Sequence, residues 1–223
     1  MRERLIQAAW PPFPPRSTRE WLLRFRATIL ICSAILVAGV YSATISAAAH
    51  ARLEQRFGMD LDVVRHGRFW TLPVSTFVQS EPGLKWHMAL FVLSSLLILE
   101  TLAGSARAAV AFLLADWISS PLTIVILRIA SGLGGRTAER YLHVAETGSS
   151  ASFHGAFAAA AALLPGRWPL LPLSVMTAVA AAAFTFQRPD NAVAHALATA
   201  IGLASGLWFR RGRRRNAPES PPA

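Results

Sequence analysis

Ala192-Val193-Ala194-His195-Ala196-Leu197-Ala198-Thr199-Ala200-Ile201-Gly202-Leu203-Ala204-Ser205-Gly206-Leu207-Trp208-Phe209 is an apolar run holding one ionisable side chain, His195. About 20 such residues cross a bilayer as a helix, and a polar group at that depth is costly and usually kept for a purpose. Ala194, Ala198, Gly202 and Gly206 recur at a spacing of four, and Ala151, Gly155 and Ala159 form a second stripe after Gly148-Ser149-Ser150. Stripes of small residues let two helices approach closely in lipid. Each stripe lies one residue from a chemistry-bearing side chain, so a contact between them sets Ser150 beside His195.

The rest of the chain supports a membrane reading. Of 223 residues, 53% are hydrophobic and 15% charged, too apolar a balance for an ordinary soluble domain. Residues 27–49 are uncharged and outlast a signal-peptide core of about 7–15 residues, although Ala49-His50-Ala51 resembles a cleavage site. Five further apolar segments follow, at about 86–104, 108–127, 150–164, 168–186 and 192–209. Glu100, Asp116, Pro121 and Pro172 interrupt them, which helices in lipid tolerate only when surrounded by neighbours. The expected fold is an all-α membrane protein, one bundle of six transmembrane helices over 27–209, with tails at 1–26 and 210–223.

The formal charge of +10 does not point to nucleic acid. The arginines are spread over tails and loops, and Arg210, Arg211, Arg213, Arg214 and Arg215 directly follow an apolar segment, where they meet anionic headgroups. An even number of spans puts both tails on one side, and their arginines place that side in the cytoplasm of a multi-pass cell-membrane protein. Trp21, Trp86, Trp168 and Trp208 mark segment ends at the interface. The connection at 52–85 mixes charges with Leu61, Val64, Phe69, Leu72, Val74 and Phe77, a pattern for short helices in the headgroup region. The extreme tails are proline-rich. Cys32 is the one cysteine, so no intrachain disulfide forms.

A serine enzyme needs a base within hydrogen-bond reach and donors for the oxyanion. Ser150 reads as the nucleophile and His195 as that base. Their segments also resemble the rhomboid family of six-helix intramembrane serine proteases. Gly148-Ser149-Ser150-Ala151 resembles its Gly-x-Ser-Gly motif at the start of the fourth helix, and His195 with the small residues after it resembles the sixth. Trp86-His87, Glu100-Thr101-Leu102-Ala103-Gly104 and Arg68-Phe69-Trp70-Thr71 resemble family features in and before the second helix. The resemblance implies a Ser150–His195 dyad, an oxyanion site from His87 and the Ser150 amide, supporting roles for Gly148 and for His154 stacked on His195, and no cofactor. It also implies that Glu100 satisfies backbone or arginine donors. The implied partners are transmembrane protein substrates within the lipid; the oligomeric state is not read from the sequence.

Two positions depart from the family. Ala151 replaces the motif's final glycine, and Phe91 stands where an asparagine usually donates to the oxyanion. Both favour the alternative of a catalytically inactive rhomboid-fold protein that binds transmembrane helices. Ser150 also reads as a helix cap, Ser149 and Ser152 are rival nucleophiles, His154 is a rival base, and His195 is readable as a packing residue. His87 also reads as an interface anchor beside Trp86. His50, His66 and His143 carry no visible motif, and no His/Glu pair has metal-ligand spacing. Asp116 marks either an internal polar pair or a proton route; a small transporter would call for inverted repeats, which the sequence does not display.

Overall fold

A computed structural model describes residues 17–79, 86–164 and 189–215, with backbone alone at 86–89, 189–190 and 213–215. These residues form ten α-helices and a 3-10 turn. We number the helices α1 (Thr18–Arg24), α2 (Arg26–Thr44), α3 (Ala47–Phe57), α4 (Leu61–Arg65), α5 (Leu72–Ser75), α6 (Trp86–Ala103), α7 (Ser105–Gly132), α8 (Arg136–Tyr141), α9 (Ser150–Leu163) and α10 (Pro189–Arg215); the 3-10 turn is Phe69–Thr71. Three stretches are long and apolar enough to cross a membrane: Arg26–Thr44, Ser105–Gly132 and Asn191–Gly212. Leu90–Ala103 and Ser150–Leu163 are shorter apolar helices. The segment expected at 168–186 lies outside the described residues, as do the proline-rich tails.

Large apolar side chains face outward as well as into the core, and several polar ones are buried. Leu30 is 69% exposed, Val37 68% and Ile129 59%, whereas Thr28, Ser95, Asp116, Ser119 and Thr123 are buried. Lipid stabilises apolar surface as well as a protein core does, so association depends on close packing and internal hydrogen bonds. The fold is consistent with a multi-pass membrane protein.

The first apolar run is not one helix to residue 49. α2 stops at Thr44, Ile45 turns extended at φ −96°, and Ser46 Oγ accepts from Ala49 N at 3.2 Å to cap α3. Hydropathy does not register this break because every residue across it is uncharged. The 108–127 segment grows instead: α7 runs over 28 residues with Pro121 inside it. Between 52 and 79 the expected short helices are present, and Met59, Leu61, Val63 and Leu72 pack on Ile124 and Leu127 of α7 and on Ala138 and Leu142. They form a satellite core against the bundle.

Glu100 ties two helices end to end. Its Oε1 accepts from Ala27 N at 3.0 Å, and its Oε2 accepts from Thr28 N at 2.9 Å and Thr28 Oγ1 at 2.6 Å. A helix's first amides have no intrahelical partner and carry the positive end of its dipole, so this carboxyl caps α2 from α6. The backbone donors expected for Glu100 are these two amides. Gly104, at φ +84°, then turns the chain directly into α7.

The centre is the trio α7, α9 and α10. A methyl added at Gly202 would overlap the Gly155 carbonyl, one at Gly206 would overlap the Ala159 carbonyl, and one at Gly155 would overlap Ala115. The two stripes therefore meet, rising together along both chains, so α9 and α10 are parallel. Ala151 and Ala198 share a contact with Ala115, while Ala156, Ala159 and Ala160 belong with Ala108, Ala111 and Phe112, so α9 is antiparallel to α7. Apart from half-buried Phe157 and Leu163, every residue of α9 from Ala151 onward is buried.

Candidate functional site

At 14 residues α9 is about 21 Å long, short of a hydrocarbon core of about 30 Å. Its first turn lies against Ala115, about 15 Å along the roughly 42 Å of α7. Helix α9 thus begins inside the bundle. Irregular backbone at that level must be held by protein, and the chain entering α9 is. Met59 and Glu146 exchange amide bonds at 2.8 and 2.9 Å, Leu61 N donates to Leu142 O at 3.0 Å, and Gly148 N donates to Ser75 O at 2.9 Å. Gly148 takes φ +113°, a conformation that L side chains rarely adopt.

Ser149, not Ser150, occupies the cap position, and its side chain makes no cap bond. Its φ of −91° and ψ of 11° depart from the extended cap geometry that carries the hydroxyl to the following amides. Ser150 is the first helical residue, so its reading as a cap is corrected. The three serines differ in access. Ser149 and Ser152 are 0% exposed, and Ser150 is partly exposed.

His154 and His195 come together across α9 and α10, their rings stacked at 4.1 Å and 16°. This is the contact expected of His154. The stack continues away from the pair: His154 lies 4.2 Å from Phe153, and Phe153 lies 5.3 Å from Phe91 at 13°. A ladder of four rings therefore links α6, α9 and α10. His154 Nδ1 donates to Ser150 O at 2.8 Å. His195 is 7% exposed. Among the described residues no hydrogen bond joins Ser150 Oγ to His195.

Five polar atoms here are buried without a partner: Thr147 Oγ1, Ser149 Oγ, Ser152 Oγ, His154 Nε2 and His195 Nδ1. Such atoms are rare in folded proteins, and their concentration around one helix start is the strongest local mark of a site. The extra methyl at Ala151 is accommodated between Ala115 and Ala198. Phe91 supplies a ring and no donor. His87 lies in the first turn of α6 and its side chain is outside the described residues.

Several other polar residues are bonded within the fold. Asp116 Oδ2 accepts from Thr76 Oγ1 at 2.5 Å and Oδ1 from Ser120 Oγ at 3.1 Å, an internal pairing. His50 Nδ1 lies 3.7 Å from Glu54, and His66 Nδ1 donates to Asp62 O at 2.8 Å. Among the described residues no three His, Cys, Asp or Glu side chains are grouped to hold a metal. Phe153 and Thr76 were not singled out by sequence, since their roles depend on partners in distant segments. Comparison of the chain with family models, with curated proteins and with solved structures finds no match.

Proposed function

We propose that this chain is a rhomboid-like intramembrane serine protease with a Ser150–His195 dyad, cleaving transmembrane segments of membrane proteins. The observation that carries the reading is the parallel seating of α9 on α10: the glycine contact and the His154–His195 stack bring the start of α9 level with His195, inside the bundle. Partial exposure favours Ser150 over its buried neighbours, because a nucleophile must be reached by the substrate. Under this reading the fold is the six-helix rhomboid bundle, with 168–186 as its fifth span and both termini in the cytoplasm.

In the reaction, Ser150 Oγ attacks the peptide carbonyl while His195 takes its proton and later returns it to the leaving amine. The uncapped first amides of α9, Ser150's among them, face the developing oxyanion at the positive end of the helix dipole, joined by His87. Hydrogen bonds of such a dyad commonly tighten only when substrate is bound. One observation favours a second reading, an inactive relative that binds transmembrane helices: the ring of Phe91 fills the place of a donor with a stack on Phe153.

A fluorophosphonate probe on the purified full chain decides between them. The protease labels at Ser150, with labelling abolished by Ser150→Ala and reduced on the order of a thousandfold or more by His195→Ala. Labelling that survives Ser150→Ala removes the proposed nucleophile. A wild-type chain that takes no probe, yet binds transmembrane peptides in liposomes, establishes the second reading.

A further inference from the structure

Asp116 is a buried carboxyl that the proposed reaction does not use, and its bonds lead toward the nucleophile. Thr76 Oγ1 donates to Asp116 Oδ2 and accepts from Trp117 Nε1 at 3.2 Å, so one residue past the end of α5 is fastened to α7 from two neighbouring positions. Ser120 Oγ holds the other carboxyl oxygen one turn along α7. The residue before Thr76 is Ser75, whose carbonyl accepts the amide of Gly148. Two residues after Gly148 comes Ser150.

We infer that Asp116 is a positioning residue: through Thr76 and Ser75 it fixes Gly148, and with it the first turn of α9 that presents Ser150. The functional part of this inference rests on the protease reading; the mechanical part does not. Gly148 is where the control acts. Its positive φ aims the chain into α9, and Gln79 and Val78 lie within van der Waals reach of its α-carbon's missing substituent, so displacement of 75–79 is felt there first. Glu146, two residues earlier, is held independently by Met59, at the amide bridge of the satellite core. The two amides therefore report separately on the Asp116 linkage and on the general integrity of the outer segment.

The test is hydrogen exchange of the full chain in detergent micelles, read from overlapping peptides across 142–152, together with the rate of fluorophosphonate labelling. Thr76→Val removes the linking hydroxyl at nearly constant volume. It should speed exchange at Gly148 on the order of tenfold while leaving Glu146 unchanged, since the hydroxyl's contacts to Asp116, Trp117 and Leu72 O are lost locally. Labelling of Ser150 should slow by a similar factor. Thr76→Ser retains the hydroxyl and should restore both. Ser95→Ala, a buried α6 position whose hydroxyl bonds only Val92 O in its own helix, should change neither. Unchanged exchange at Gly148 in Thr76→Val, or equal acceleration at Gly148 and Glu146, overturns the positioning role. A wild-type chain inert to the probe defeats the protease reading alone, and the exchange data still decide the linkage.

Discussion

Two buried polar groups sit along the same helix trio and are treated in opposite ways. Around Asp116, both carboxyl oxygens have hydroxyl partners and the Thr76 hydroxyl in turn receives the Trp117 indole. Around the start of α9, the hydroxyls of Thr147, Ser149 and Ser152 and two imidazole nitrogens are buried and have no partner. A satisfied network holds elements in place, whereas unsatisfied groups lose hydration without a protein bond in return. The contrast separates scaffold from candidate site: the bonded carboxyl of Asp116 is structural, and the unpartnered serines and histidines are where the proposed chemistry lies.

The largest effect should come from the α9–α10 seam that carries the His154–His195 stack. Gly202→Ala drives a methyl into the Gly155 carbonyl, and rigid backbone gives way only by parting α9 from α10. The expected loss is about 3 kcal/mol or more, measured by denaturant unfolding in detergent, together with loss of Ser150 labelling. Gly212→Ala is the matched comparison on the same helix. Nothing lies within 4 Å of a methyl there, and exchanging glycine for alanine in an open helix should stabilise by up to about 1 kcal/mol. Equal behaviour of the two variants would mean the glycine contact does not hold the bundle.

Asp116→Ala should come next, at about 2–3 kcal/mol, because it leaves the hydroxyls of Thr76 and Ser120 without their buried acceptor. Glu100→Gln should cost less, about 1–2 kcal/mol. Its remaining carbonyl oxygen still accepts from α2, but the new amide group faces donors at Ala27 and Thr28. Both losses are read as shifts in unfolding midpoint. An Asp116→Ala protein as stable as wild type would erase the distinction between the two clusters.

What was legible in the sequence follows from range. The stripes on α9 and α10 show as a four-residue spacing, a local pattern, and their meeting could be anticipated because glycine and alanine have few other reasons to alternate so regularly in lipid. The stacking of His154 on His195 came from family resemblance and matches the rings' placement. Asp116 was conspicuous as an intramembrane acid, but its partner Thr76 lies 40 residues away in a segment with no periodicity. Phe91 was legible only as a missing donor, and its stack on Phe153 depends on how α6 rotates against α9. The break after Thr44 escaped because an extended residue followed by a capping serine is as uncharged as the helix it ends.

The smallest effect is the most discriminating. Ser152→Ala removes a fully buried hydroxyl that has no partner, so no protein hydrogen bond is lost and an uncompensated polar group disappears from an apolar surrounding. Elsewhere in the bundle a buried hydroxyl such as that of Thr28 is bonded, and its removal should destabilise by about 1–2 kcal/mol. At Ser152 the sign should invert, with stability unchanged or raised by up to about 1 kcal/mol. Ser152 shares this condition with Ser149, and neither is exposed, so Ser152→Ala should leave fluorophosphonate labelling of Ser150 in place. A destabilised Ser152→Ala protein would reveal that the hydroxyl has a partner in the membrane, and would move Ser152 from the unsatisfied cluster to the scaffold. A stabilised one, still labelled at Ser150, would locate the cost of the site in the polar groups that surround the proposed nucleophile.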